Sequence, residues 1–174
     1  MSLNTRRIAF AGILAAVYAV TTYVCQPIAY GSIQFRLSEA LAVFCCFTPA
    51  AIPGMVLGCV VANIFTTLSF PVLDIVFGSL ATLLAALMTA RYGKKGNTVK
   101  NRILGCLMPV IFNAVIVGAM IAYFFTEGES FLPAFGYNAL SVGAGEAAVM
   151  YLLGLPLLFF LRKNRQLRSR LEAI

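Results

Sequence analysis

The sequence predicts an all-α integral membrane protein, a compact bundle of six transmembrane helices with both termini on the cytoplasmic side. Of the 174 residues, 61% are hydrophobic and 11% are charged, whereas a soluble domain carries about a quarter charged residues. The apolar residues form continuous runs, unlike the alternating segments of about ten residues in a membrane β-barrel. Lysine and arginine collect in clusters that flank these runs.

Six apolar runs fill a single domain that covers residues 1–174. A bilayer-spanning helix takes about 20 residues, so six spans leave about 54 residues for loops and tails and none for a soluble domain. Pro49 and Pro53 interrupt helix geometry after the short second run, so the second and third runs could also form one broken helix. The runs cover residues 8–27, 37–50, 54–70, 75–90, 103–125 and 136–161.

The charge distribution favours six spans and sets their orientation. With six spans, every Lys and Arg except Arg36 lies on one side of the membrane. Basic loops stay in the cytoplasm, so we expect a multi-pass plasma-membrane protein with both termini inside. All acidic residues except Glu172 then lie outside or within the membrane. This topology explains the net charge of +7, and no nucleic-acid partner is expected.

Several kinds of chemistry lack the residues they need. The chain has no histidine and no GxxxxGK phosphate loop, so it cannot hydrolyse nucleotide by itself. Its five cysteines lie inside apolar runs, where Cys acts as a small apolar residue. We therefore predict no metal, cofactor or catalytic residue. An intramembrane enzyme would need Asp74 and Glu146 to meet as paired carboxylates, which their different depths disfavour.

Glu146 is the strongest candidate for a binding residue. It lies about ten residues into the sixth run, or about 15 Å along a helix. An ionisable group at that depth needs a partner or a wet cavity. Its small neighbours allow either close helix packing or space for a bound molecule; they are Gly143, Ala144, Gly145, Ala147 and Ala148.

Other candidates lie in the outer half of the predicted bundle. Arg36 and Glu39, three residues apart, either pair on one helix face or form the outer mouth of a cavity that Glu146 also lines. Asn63 and Asn113 are amides within apolar runs, where interhelical hydrogen bonding is the alternative role. Weaker candidates, each with an ordinary role at a helix start, are Asp74, Tyr137, Asn138 and Ser141.

These positions predict an acidic cup that opens outward. One arginine among several acids favours a ligand with a cation, or with two adjacent N–H donors for a carboxylate, over a phosphorylated one. The first run carries a separate stripe of small residues, which lets another helix approach closely. That helix belongs either to this bundle or to a separate membrane subunit. The stripe consists of Ala11, Ala15 and Ala19, with Gly12 and Ala16 beside it.

The segment Phe35–Leu41 reads FRLSEAL and resembles the FR-[LV]-SEAL signature of the QueT group, which are substrate-binding (S) components of energy-coupling factor (ECF) transporters. The small six-span layout is similar as well. The resemblance implies a subunit of an ECF-type ABC importer that captures a queuosine precursor, a 7-deazaguanine such as queuine or its aminomethyl precursor. It also implies two kinds of partner: a transmembrane coupling subunit (T component), docked on the alanine stripe, and two cytosolic ATPases.

A 7-deazaguanine suits the candidate residues. Its N1–H and 2-amino groups can both donate to one carboxylate, and its cationic arm can use a second. Glu146 and Glu39 are expected in these two roles, in either order, with Asn113, Asn63 and Arg36 as further polar contacts. The alternatives are an S component for another vitamin or nucleobase, and a stand-alone small-solute carrier, for which inverted repeats are typical.

Overall fold

The computed structural model describes residues 2–29, 34–66, 71–96, 98–126 and 130–174, and these are helical almost throughout, with no strand among them. The predicted all-helical class is thereby confirmed for the described residues. Glu127 and Glu129, which were expected outside the membrane, lie outside the described part, as does most of the polar patch at 30–34. The helices are α1 (Leu3–Val24), α2 (Gln26–Ala29), a 3-10 helix (Leu37–Cys46), α3 (Ala51–Thr66), α4 (Pro71–Leu73), α5 (Ser79–Lys94), α6 (Val99–Phe124), α7 (Phe131–Val149), α8 (Leu155–Lys163) and α9 (Arg165–Glu172).

Four helical stretches are long and apolar enough to cross a bilayer, which makes the chain a multi-pass membrane protein. Two π-helical turns, Asp74–Gly78 and Met150–Gly154, join α4 to α5 and α7 to α8. Two shorter apolar helices occupy the predicted second and third runs, and that all six segments cross the membrane stays a prediction. The four stretches are Asn4–Val24, Asp74–Lys94, Val99–Phe124 and Phe131–Lys163.

The second apolar run is wound as a 3-10 helix over Leu37–Cys46, and a turn separates it from α3. A 3-10 helix rises about 2.0 Å per residue, so ten residues reach about 20 Å, whereas an α-helix would reach about 15 Å. The short run therefore extends farther into the bundle than its length suggests. Pro49 lies in the turn, but Pro53 lies in the first turn of α3, where its missing N–H is not needed.

Successive long segments alternate in direction. The 3-10 helix runs antiparallel to α1, because Tyr18 contacts Glu39 while Phe10, earlier in α1, contacts Phe44. Further contacts repeat the alternation and bring the two ends of the chain to one end of the bundle. They join Asn63 to Asp74, Thr89 to Gly105, Gly118 to Ala139 and Arg7 to Ile174.

A proline inside α6 is compensated by its neighbour α5. Pro109 has no N–H to donate to the carbonyl of Gly105, four residues earlier. The Thr89 hydroxyl donates to that carbonyl at 3.0 Å instead. The interior proline is thereby accommodated without leaving this buried acceptor unpaired.

Two glycines of α3 allow α1 to pack directly against it. A Cβ on Gly54 would lie 2.8 Å from the carbonyl oxygen of Ala11, and one on Gly58 would lie 2.6 Å from the Cβ of Tyr18. Both distances are shorter than side chains tolerate, so this interface requires glycine at both positions.

Replacing Gly58 with Ala is expected to destabilise the protein by about 1–3 kcal/mol, because the added methyl group overpacks the α1–α3 interface. The thermal unfolding midpoint in detergent measures the effect. Gly12→Ala is the matched control: a Cβ there meets no atom within 4 Å, and Ala favours a helix over Gly by about 1 kcal/mol. Equal midpoints for the two variants would contradict this packing.

Candidate binding site

Buried polar side chains gather in the half of the bundle away from the basic clusters, in what we call the buried polar cluster. The six long segments all contribute to it, and each member is at most 8% exposed. Polar groups at such positions need hydrogen-bond partners or a ligand. Its members are Tyr18, Arg36, Glu39, Asn63, Asp74, Thr82, Asn113 and Glu146.

The Glu39 carboxylate is half satisfied. The Tyr18 hydroxyl donates to its Oε1 atom at 2.6 Å, and the Thr82 hydroxyl donates to the same oxygen at 2.9 Å. The other oxygen, Oε2, is buried and accepts no hydrogen bond from the residues that the structure describes. Glu39 is therefore held in place by α1 and α5 and still presents one open acceptor.

Glu146 is wholly unsatisfied. Its side chain is 0% exposed, and within the described chain neither carboxylate oxygen has a hydrogen-bond partner. The glycines beside it serve close packing: the main chain of Gln34 lies directly on Gly145, and a Cβ on Gly143 would lie 3.3 Å from the Ala114 methyl group. These glycines hold the surrounding backbone while the carboxylate remains open.

Arg36 is the positive charge of the cluster. It interacts electrostatically with Glu39, Asp74 and Glu146. Arg36 directly precedes the 3-10 helix that carries Glu39, and their pairing on one helix face stays a prediction. One guanidinium thus serves three carboxyl groups, which leaves the cluster acidic when all three are ionised. No group of three metal-binding side chains occurs among the described residues.

Asn63 connects α3 to the π-helical turn before α5. Its Nδ2 atom donates to the carbonyl oxygen of Asp74 at 2.7 Å, which satisfies a main-chain acceptor of that turn. Gly78 makes room for it: a Cβ there would lie 3.0 Å from Asn63 Nδ2 and 3.5 Å from Arg36 Nη1. The π-helical turn therefore brings the amide and the guanidinium together.

Asn113, on α6, contributes a further open acceptor. Its Nδ2 atom donates to the carbonyl of Pro109 at 3.1 Å, whereas its buried Oδ1 atom has no partner in the described part of the chain. Ala114 faces Gly143, and Glu146 is three residues beyond Gly143. Asn113 is thus within about 5 Å of Glu146 in height along the bundle.

Three of the weaker candidates lie on α7 and are less buried than the buried polar cluster. Tyr137 is 70% exposed. Asn138 donates to the carbonyl of Ala134 on its own helix at 2.8 Å, and Ser141 is partly buried on the same helix. The role of all three in binding stays a prediction.

The two donors to Glu39, Tyr18 and Thr82, were not predicted from the sequence. A tyrosine in the middle of an apolar run is unusual, since Tyr prefers the membrane interface. The position of Tyr18 could therefore have indicated a buried hydrogen bond. Thr82 carries no such signal, because a lone threonine is common in membrane helices.

The small-residue stripe of α1 is divided between two environments. Ala11, Ala15 and Ala19 are partly buried, and the first two contact the glycines of α3. Gly12 and Ala16 are exposed on the adjacent face of the helix. Internal packing thus accounts for one edge of the stripe, and docking of a separate subunit stays a prediction for the other.

Tyr18→Phe is expected to lower stability by about 1.5–3 kcal/mol, because it removes a buried donor to a carboxylate. The unfolding free energy in detergent measures the change. Tyr137→Phe is the control, since that hydroxyl belongs to an exposed residue and its loss should change stability by less than about 0.5 kcal/mol. If the Tyr18 variant is as stable as the control, the hydrogen bond to Glu39 does not support the fold.

Apolar helices around an acidic centre define the class of this chain: a multi-pass membrane protein with a polar, carboxylate-bearing interior. A family model described as QueT transporter matches residues 8–163. The chain therefore belongs to the QueT transporter family, which confirms the prediction of a transporter over an enzyme. No solved structure matches the chain.

A curated relative supports the same family. Over 73 residues the chain is 38% identical to the queuosine precursor transporter QueT of Lactococcus lactis subsp. cremoris (strain MG1363). The match covers 41% of this chain and 41% of that protein, so it spans about two fifths of the relative's length.

Proposed function

We propose that this chain is the substrate-binding (S) component of an ECF-type ABC importer and binds a queuosine precursor, a 7-deazaguanine such as queuine or its aminomethyl precursor. Family membership and the name of the Lactococcus relative support transport of such a precursor. The main support for the binding site is that the two buried carboxylate oxygens of Glu146 have no hydrogen-bond partner among the described residues.

The cost of burying such a group is the physical reason for this proposal. Removing an ionised carboxylate from water without partners costs several kcal/mol or more. A carboxylate that braced the scaffold would have donors around it, as Glu39 Oε1 has in Tyr18 and Thr82. A ligand that brings its own donors would repay the burial of Glu146 when it binds.

In this proposal the two carboxylates bind different parts of the ligand, which the number of open oxygens on each supports. Glu146 has two open oxygens, which match the parallel N1–H and 2-amino donors of a 7-deazaguanine. Glu39 has one, which matches a single ammonium on the ligand's arm. Asn113 Oδ1 adds a neutral acceptor. In this proposal Arg36 supplies a donor for the ligand's carbonyl, and Asn63 lies beside it at Gly78.

In this proposal all six segments cross the plasma membrane and both termini are cytoplasmic. The alternating direction of the segments and the collection of Lys and Arg at one end of the bundle support this topology. Two cytosolic ATPases act through a T component, which docks on the exposed face of α1 at Gly12 and Ala16. Small side chains there let the T component's helix approach closely.

Glu146→Gln is expected to weaken binding of the aminomethyl 7-deazaguanine at least about tenfold, or about 1.4 kcal/mol, because an amide cannot accept two donors. Isothermal titration calorimetry in detergent measures the affinity, and a single symmetric size-exclusion peak shows that the variant is folded.

Glu172→Gln is the matched control, because it removes a carboxylate whose side chain is 52% exposed at the opposite end of the bundle. Its affinity should equal that of the wild type. An unchanged affinity of the Glu146 variant would refute the site. Tight binding of a different vitamin or nucleobase, with no binding of 7-deazaguanines, would refute the ligand and leave the site standing.

Ala16→Trp is expected to abolish co-purification of the T component and ATPases while ligand affinity stays unchanged, because the bulky side chain prevents close helix approach. Affinity purification of the co-expressed complex measures the effect. Leu140→Trp, at a 77% exposed position on α7, is the control and should retain the partners. Retention by both variants would place the docking surface elsewhere.

A further inference from the structure

A small basic pocket lies at the end of the bundle opposite the buried polar cluster. Its volume is about 270 Å³, below the range of about 300–1,000 Å³ that is typical for drug-sized ligands. The pocket therefore suits a single small headgroup. It is lined by the end of α8 and the start of α6, through Arg102, Phe159, Phe160, Arg162 and Lys163.

The pocket brings several positively charged side chains close together. Arg162 interacts electrostatically with two other guanidinium groups, those of Arg102 and Arg168. Arg162 also interacts electrostatically with the carboxylate of Glu172, but that carboxylate pairs with Arg168 at 3.7 Å. The Nε atom of Arg162 is buried and donates to no acceptor in the described part of the chain. A bound anion would reduce the repulsion between these guanidinium groups and would provide an acceptor for the Nε–H group of Arg162.

Aromatic rings hold two of these guanidinium groups in place. That of Arg102 lies over the Phe159 ring, 4.5 Å from its centroid, and that of Arg162 lies over the Phe47 ring at 5.2 Å. Positively charged groups favour the faces of aromatic rings. Because the side chains are already ordered, binding an anion loses less conformational entropy.

We propose that this pocket binds the phosphate headgroup of an anionic phospholipid. The pocket continues into apolar surface, since Phe159 is 40% and Phe160 is 59% exposed, and this surface can pack against an acyl chain. Arginine suits phosphate because its planar fork can donate two hydrogen bonds. Basic pockets between membrane helices are known sites for anionic headgroups. This inference goes beyond the proposed import function and does not depend on it.

A second basic group at the same end provides the comparison. Arg91, Lys94 and Lys95 are exposed and line a wider pocket of about 600 Å³, but none of them has a buried donor without a partner. They should attract an anionic membrane surface in general, but they should not select a single lipid molecule. Removing two of them takes away as much charge as removing two arginines from the proposed site.

The test is native mass spectrometry of the full chain released from nanodiscs of phosphatidylcholine and phosphatidylglycerol. Wild type should retain one phosphatidylglycerol in preference to phosphatidylcholine. Arg102→Gln/Arg162→Gln should lower the affinity for phosphatidylglycerol about tenfold or more, whereas Lys94→Gln/Lys95→Gln should not. The single variant Arg162→Gln is measured alongside. It should also lower the affinity for phosphatidylglycerol, so the proposal can still be tested if the double arginine variant does not fold.

Three results would overturn the proposal. The first is equal loss of phosphatidylglycerol in the arginine and lysine variants, which would show general charge attraction. The second is equal retention of phosphatidylcholine by the wild type. The third is displacement of the lipid by millimolar inorganic phosphate or glycerophosphate, which would show a site for a free anion.

Discussion

The structure depends on placing carboxylates inside an apolar helical bundle. A buried charge without hydrogen-bond partners costs several kcal/mol, and Glu146 accepts no hydrogen bond from the described residues. Glu39 shows the contrasting solution, because one of its oxygens receives two hydroxyl donors. The two residues thus differ in how much of their hydrogen-bonding capacity the described residues use. The oxygens without a partner are buried, so a ligand has to enter the bundle to reach them.

Departures from regular α-helix accompany this polar interior. The 3-10 helix carries Glu39, one π-helical turn begins at Asp74, and the other starts four residues after Glu146. Such irregular turns often occur at functional sites. The side chains of Asn63 and Arg36 approach Gly78 closely, and the main chain of Gln34 lies directly on Gly145. Packing of small residues elsewhere, above all between α1 and α3, supplies the rigid frame around these turns.

The helical class of the described residues and the presence of long apolar helices could be predicted from the sequence, because continuous apolar runs and basic flanks reflect the bilayer directly. The winding of the second run could not, since 3-10 geometry depends on contacts from neighbouring helices. Depth in the membrane identified Glu146, position within apolar runs identified Asn63, and the spacing from Arg36 drew attention to Glu39. The donors Tyr18 and Thr82 could not be predicted, because the register between distant segments determines which hydroxyl contacts a given carboxylate.

The ligand-free unfolding temperature of Glu146→Gln tests the central claim most directly. If Glu146 serves to bind a ligand and does not stabilise the fold, replacing its carboxylate with a neutral amide removes a desolvation penalty that nothing in the empty protein offsets. The empty protein should then melt at the same temperature as the wild type or higher. Melting several degrees lower, measured in the same detergent without ligand, would show that Glu146 braces the fold and would contradict this account.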